Sequence, residues 1–198
     1  MDVTGRPPRL RVGLVGAGRA GAVLGAALIR AGHQLVGATA VSDASRARVE
    51  TLLPGVPVAP APDVVAEADL ALLAVPDDAL PDLVTGLAAA GAFHPGQLVV
   101  HTAPGLGIGV LEPAGADVLP LAIHPACALG GRLADLDRLA GTVVAVTTLR
   151  SLRPVGEALV LELGGEPVWI EEEDRPAYAA ALAAVREGLT GVVTAAAE

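Results

Sequence analysis

Two histidines sit where apolar runs end. His101 closes Gln97–His101, and His124 follows the run Val118–Ile123. An imidazole at the carboxyl end of a strand can serve as a general acid, because its ordinary pKa lies near neutrality. Thr102 adds a hydroxyl that can donate to a substrate or cofactor oxygen. Plainer roles stay open for all three, since a histidine can bond a loop carbonyl and a threonine can cap a loop. His33 follows Gly32 and reads as a surface residue, and His94, before Pro95-Gly96, reads as part of a turn. The single Cys127 excludes an intrachain disulfide, and no Cys/His spacing resembles a zinc site. No Ser/His/Asp order or paired-carboxylate site stands out. Every basic residue is Arg, so lysine chemistry is excluded.

A second constellation lies near the start. Gly16-Ala17-Gly18-Arg19-Ala20-Gly21 follows the apolar run Leu10–Val15 and precedes Val23, Leu24, Ala27 and Leu28 at helical spacing, with Gly32 closing the helix. Gly16 suits a tight turn off the strand. Gly18 leaves room for a pyrophosphate against the backbone, and Gly21 lets the helix lie close on the strand. The helix N-terminus offers unpaired N–H groups and partial positive charge to an anion. Strand, glycine turn and helix in this order imply a dinucleotide-binding unit.

A dinucleotide's adenosine ribose would face the end of the next strand, Gln34–Val41. NAD calls for a carboxylate there, about 20 residues beyond the glycines. The chain instead carries Ser42, with Arg46 and Arg48 close by, a set that suits the 2′-phosphate of NADP. Asp43 keeps NAD as the less favoured choice. Val75 and Pro76, after the run Leu70–Val75, end another strand on the same edge.

The elements that must position these residues alternate along the chain. Strands are expected at Leu10–Val15, Gln34–Val41, Val56–Ala59, Leu70–Val75, Gln97–His101, Val118–Ile123, Thr142–Thr147 and Pro167–Ile170. Helices are expected after Gly18, from Ser42 or Asp43, from about Leu80 and over Pro154–Leu163. Asp77 and Asp78 read as caps of the third of these. Residues 60–68 read as a Pro-broken link or short helix, and Leu111 as the start of another. Alternation of this kind predicts an α/β fold with a doubly wound, mostly parallel sheet. From Asp174 onward Tyr178, Leu182, Val185, Leu189 and Val192 recur at steps of four and three, a heptad-like seam that needs either this chain's own sheet or a second subunit to cover it.

Composition bounds the rest. The 198 residues are 53% hydrophobic but only 2% aromatic, so the core must be built of Ala, Val and Leu. A net charge of −9 argues against nucleic acid and anionic membrane as partners. Met1–Pro8 lacks the apolar stretch of a signal peptide and reads as a loose tail, and no apolar run approaches the length of a membrane span, so a soluble cytoplasmic protein is expected.

Taken together, the stretches 16–25, Ala74–Asp77, His101-Thr102, Leu121–Ala126, Asp135–Gly141 and Leu163–Pro167 resemble a bacterial family of Rossmann-like NADP-dependent oxidoreductases with a C-terminal domain of unknown function, relatives of pyrroline-5-carboxylate reductase and ketopantoate reductase. The resemblance covers nearly the whole chain. It implies an N-terminal NADP-binding Rossmann domain over residues 9–172, and from 173 to 198 the start of an all-helical dimerising domain, with substrate between the two. By position Gly16, Ala17, Gly18, Arg19, Ala20 and Gly21 would hold the pyrophosphate, and Ser42 and Arg46 would lie near the ribose phosphate. Val75 and Pro76 would flank the nicotinamide, and His101, Thr102 and His124 would line the cleft. The chain departs from the family at Ala103, where a Ser is usual, and at Ala179, Ala184 and Glu187, where His and Asn are usual. It also ends at Glu198, so the helical domain is expected to be truncated. Two functions follow from the resemblance: reduction of a small carbonyl or imine by a homodimer joined through the terminal helix, or dinucleotide binding or protein interaction without turnover.

Overall fold

The computed structural model describes the backbone of residues 9–196 and the side chains of residues 9–187. Seven strands form one sheet: β1 (Arg11–Val15), β2 (Gln34–Ala38), β3 (Leu70–Leu73), β4 (Leu98–His101), β5 (Leu119–Pro125), β6 (Val143–Thr148) and β7 (Glu166–Trp169). Their order is β2-β1-β3-β4-β5-β6-β7. The helices are α1 (Arg19–Ala31), α2 (Asp43–Leu52), α3 (Ala61–Ala66), α4 (Leu80–Ala89), α5 (Asp135–Leu139), α6 (Arg153–Glu162) and α7 (Arg175–Ala196). A 3-10 helix runs over Ile108–Ala114 and shorter 3-10 turns cover Arg150–Leu152 and Glu172–Asp174.

The central strands are apolar on both faces because both faces are covered. β3 and β4 are buried at every position. Strand alternation sends Leu72, Val100 and Ile123 to the face covered by α1, α2 and α6, and sends Ala71, Leu73 and Val99 to the face covered by α3, α4 and the 108–114 helix. The core is Ala, Val and Leu, as composition requires. The fold is therefore the doubly wound α/β sheet that the sequence predicts. Among the described residues no helix is long and apolar enough to cross a membrane.

Three local expectations are corrected, and the exception to the parallel order is located. The strand expected at Val56–Ala59 is a single parallel bridge, Val58 to Ala38, because Pro57 and Pro60 bracket it and limit its ladder. β6 pairs antiparallel with β5, and β7 parallel with β6, so the last two strands run against the rest. His33 is not on the surface. The left-handed cap at Gly32 (φ 99°) folds the chain back, and the His33 ring is buried, its Nδ1 accepting from the Leu10 N–H (3.1 Å) and its Nε2 meeting Glu162 (2.8 Å). It ties the start of β1 to the end of α6. Finally, α4 has Ala79 at its N-cap and no side-chain cap, so neither Asp77 nor Asp78 serves there.

α5 is absent from the sequence reading, since five residues are too few to show a helical period. Of the seam on α7, Tyr178 and Leu182 are half-buried and Val185 is 71% exposed. The side chains of Leu189 and Val192, and the tail at residues 1–8, lie outside the described residues.

Candidate functional site

Register places the predicted site residues on one edge of the sheet. Val15 pairs with Leu73, Leu73 with His101 and His101 with Ala122. The carboxyl ends of β1, β3 and β4 are thus level, and β5 runs on to carry His124 two residues further. β1 lies between β2 and β3, where the strand order reverses, which is the place a doubly wound sheet opens a crevice for ligand.

The turn after β1 is built at two points and open at a third. Gly16 has φ +100°, and a Cβ there would lie 2.5 Å from the Ala74 carbonyl and 3.2 Å from the Val75 side chain. At Gly21 a Cβ would lie 2.1 Å from the Gly16 carbonyl. At Gly18 it would meet nothing within 4 Å. So Gly16 and Gly21 serve close packing, while Gly18 faces open space. Ala17 is buried and its N–H donates to the Thr39 carbonyl (2.9 Å), and the Gly16 N–H donates to the Thr39 hydroxyl (2.7 Å). Gly18 is the N-cap of α1, without a side-chain cap, and the first turn, with exposed Arg19 and half-buried Ala20, holds no acid. Among the described residues no side chain competes with an anion for the helix N-terminus.

Beside this turn, β2 ends at Ala38, and the segment Thr39–Ser42 contains no carboxylate. Ser42 is exposed, but its hydroxyl is engaged in a reciprocal capping box with Ser45, accepting from the Ser45 N–H at 3.1 Å. Arg46 is exposed and reaches back to the Ala40 carbonyl (3.4 Å). The loop after β5 folds over the turn from the other side. A Cβ on Gly131 would lie 2.8 Å from Arg48 Nε and 3.2 Å from Arg19 Cα. Asp135 holds that loop, accepting from the Gly130 and Arg132 N–H groups, both at 2.9 Å. Those bonds, led by Arg132, hold its carboxyl below the usual range. Arg19 and Arg48 thus lie beside the turn, and Arg46 beside the segment after β2, in a chain of net charge −9. Val75 is half-buried and Pro76 exposed at the end of β3.

The histidines separate into two roles. His101 is fully buried, and both ring nitrogens are engaged: Nδ1 accepts from the Ala103 N–H (3.2 Å) and Nε2–H donates to the Gly107 carbonyl (2.9 Å). It organises the 103–107 loop. His124 is half-buried, and its Nδ1 lies 2.9 Å from the Tyr178 hydroxyl of α7. Its Nε2 has no hydrogen-bond partner among the described residues, and it is not sealed in the core. Burial above all pushes both imidazoles down to about 4; the Arg175 charge lowers both further, and the Gly107 contact opposes the shift at His101. Both rings are neutral at pH 7. The hydroxyl of half-buried Thr102 makes no hydrogen bond among the described residues, and its N–H donates to Leu73 (3.3 Å). Nearby, burial and then the charge of Asp78 push the Asp77 carboxyl up, while the Gly105 N–H draws it back.

Sequence reasoning missed three members of this cluster. Arg175 is fully buried with Nε on the Thr147 hydroxyl (2.7 Å) and Nη2 on the Ala122 and Ala145 carbonyls (2.9 and 3.4 Å). Tyr178 was visible only as a step in the seam. Glu172 accepts from the Ile108 and Gly109 N–H groups at 2.8 and 2.9 Å and fastens the 103–109 loop to the base of α7. Strand alternation sets Ala122 and His124 of β5 and Ala145 and Thr147 of β6 on the face that α7 meets, but only the fold reveals that contact. Among the described residues no group of acids, histidines and cysteine could hold a metal.

The chain resembles solved structures over most of its length. A provisionally assigned NADP oxidoreductase from Bacteroides fragilis is 19% identical, covers 95% of this chain and 71% of its own, and has a TM-score of 0.75. Prephenate dehydrogenase of Aquifex aeolicus, solved with hydroxyphenyl propionate and NAD+, is 18% identical over 86% of this chain and 63% of its own, with a TM-score of 0.69. The pyrroline carboxylate reductase of Plasmodium falciparum, solved with NADP, is 13% identical over 95% of this chain and 69% of its own, with a TM-score of 0.63. At these identities the likeness is one of fold, and the chain spans 63–71% of those three proteins' lengths. No curated protein matches the sequence. The Rossmann-like domain matches residues 2–125, which take in the glycine turn, β1–β5 and His124. On that match the chain belongs to the Rossmann-like domain family.

Proposed function

We propose that this protein binds a nicotinamide dinucleotide, NADP in preference to NAD, and reduces a small carbonyl or imine substrate. The observation that carries the reading is Gly18: open at the N-terminus of α1, between two glycines that are closely packed. The pyrophosphate would lie against the N–H groups of Gly18, Arg19 and Ala20, with Gly16, Ala17 and Gly21 shaping the turn beneath it. Arg46 would meet the ribose phosphate, and Ser42, already engaged in its cap, would contribute from the start of α2. The absence of a carboxylate between Thr39 and Ser42 supports the phosphorylated cofactor. Val75 and Pro76 would flank the nicotinamide end. Bound NADPH supplies the hydride.

The chain's own part is to orient the substrate and supply one proton. His124 is the donor, since its Nε2 has no hydrogen-bond partner among the described residues, while His101 shapes the loop and Thr102 offers a hydroxyl at the mouth. Residues 9–172 form the dinucleotide-binding domain, and 173–198 belong to a helical dimerisation domain as its remnant or its start. Exposed Val185 on α7 supports a homodimer through that helix. The acidic net charge supports a protein that associates with neither nucleic acid nor an anionic membrane surface.

A binding or interaction module without turnover is the competing reading, favoured by Ala103 and Ala179 where the resembled family carries polar side chains. NADPH consumption in the presence of a panel of 2-ketoacids and cyclic imines separates the two. Steady oxidation with any member supports the reductase; tight binding with no oxidation across the panel supports the module.

A further inference from the structure

Arg175 is a buried cation with no directly paired carboxylate among the described residues. Its side chain is fully enclosed, Nη1 has no hydrogen-bond partner, and no carboxylate lies within 4 Å of it among the described residues. The nearby acid, Glu172, is engaged by the N–H groups of Ile108 and Gly109. A buried charge without a direct ion pair is costly, and one fixed by carbonyl and hydroxyl oxygens is preorganised to stabilise an opposite charge that appears only transiently. One helical turn from Arg175 on the same helix stands Tyr178, whose hydroxyl meets His124 Nδ1 at 2.9 Å with the rings edge to face.

We propose that Tyr178, His124 and Arg175 form a proton relay, in which the Tyr178 hydroxyl donates to His124 Nδ1, the His124 Nε2–H faces the substrate, and Arg175 stabilises the phenolate left behind. The proposal rests on the reductase reading above. A protonated phenol is the stronger donor and an imidazole nitrogen the stronger acceptor, so the contact runs O–H to Nδ1 and fixes the proton on Nε2. During reduction the hydride from the dihydronicotinamide brings two electrons and one hydrogen to the substrate carbon. Negative charge then develops on the carbonyl oxygen, or on the imine nitrogen. The Nε2 proton passes to that atom and the Tyr178 proton passes to Nδ1; one solvent proton then enters at Nε2 as the Nδ1 proton returns to the phenolate, which restores the starting tautomer. His124 remains neutral before and after, in keeping with its low pKa. Tyr178 and Arg175 act through His124 and are positioning residues. The titratable and charged groups facing the phenol are His124 from β5 and Arg175 on its own helix, and Glu172 from the turn before that helix and His101 from β4 act on Arg175. Burial raises the phenol's pKa and Arg175 lowers it.

The chain contains a single tyrosine, so tyrosinate absorbance reads Tyr178 alone. A pH titration of the cofactor-free protein should show its midpoint rising in Arg175→Gln and returning in Arg175→Lys. Side-chain nitrogen NMR should show His124 as the Nε2–H tautomer, with that preference lost in Tyr178→Phe. An unmoved midpoint in a folded Arg175→Gln protein, or an Nδ1–H tautomer in the parent, overturns the relay. If Arg175→Gln does not fold, the tautomer measurement decides. With NADPH and an accepted substrate, Tyr178→Phe should reduce kcat about a hundredfold with little change in KM. Failure to bind any nicotinamide dinucleotide would defeat the reductase reading, while the titration and tautomer would still show whether Tyr178 donates to His124 beside the Arg175 charge.

Discussion

Replacing Gly18 and Gly21 separately distinguishes packing from binding. In Gly21→Ala the new methyl falls 2.1 Å from the Gly16 carbonyl and 2.9 Å from the Ala74 Cβ, so α1 must move off the sheet. Overpacking of this kind costs about 1–3 kcal/mol, a fall in Tm of roughly 2–12 °C for a chain of this size. In Gly18→Ala the methyl meets nothing within 4 Å and φ is −71°, so the fold accepts it. The cost is that of a poorer N-cap, at most about 1 kcal/mol. A bound pyrophosphate, however, would be held away from the helix N-terminus. Loss of one charge-assisted N–H bond is worth roughly 1.5–3 kcal/mol, or about 10- to 100-fold in Kd. Thermal unfolding and NADPH fluorescence titration of the two variants read the two effects. Gly18→Ala should be nearly as stable as the parent and bind much more weakly. A folded Gly18→Ala protein with parental affinity would refute the role given to the turn, and a Gly21→Ala protein of parental Tm would refute the packing argument.

Arg46→Ala should erase most of the preference for NADPH over NADH, by about tenfold or more in the ratio of Kd values, without altering Tm; an unchanged ratio would place the 2′-phosphate elsewhere. His33→Ala should lower stability by about 1–3 kcal/mol in urea unfolding, because the Leu10 N–H and Glu162 lose a buried partner. Stability should also fall with acid. His101 and His124 have folded pKa values of about 4 against 6.5 for the free group, so the unfolded chain binds more protons between these limits. Their neutral state is fully favourable above pH 6.5, and the penalty grows as pH falls to about 4, by a few kcal/mol in all. His101→Asn should flatten part of that slope, and an equally steep slope in the variant would show that other groups cause it.

The fold was legible because strand and helix periods differ sharply in an Ala-, Val- and Leu-rich chain, and because Gly16, Gly18 and Gly21 mark the first crossover. Strand placement followed from continuous buried runs such as Leu70–Leu73. The direction of β6 was hidden, since a buried parallel and a buried antiparallel strand can read alike. His33 was misplaced because a glycine cap reads as the end of a structure, whereas here it turns the ring under β1. The division of labour between His101 and His124 was also invisible: both end apolar runs, and only the 103–107 loop shows which ring is engaged. Arg175 and Tyr178 escaped notice because their importance arises from contacts with β5 and β6 some 30 to 50 positions earlier.

The central claim is tested most directly by titrating the 198-residue chain with NADPH, NADP, NADH and NAD under one set of conditions. Saturable binding, tighter for the phosphorylated pair, is the predicted result. Binding of none of the four would contradict the account and leave a doubly wound scaffold whose open glycine turn serves a different ligand.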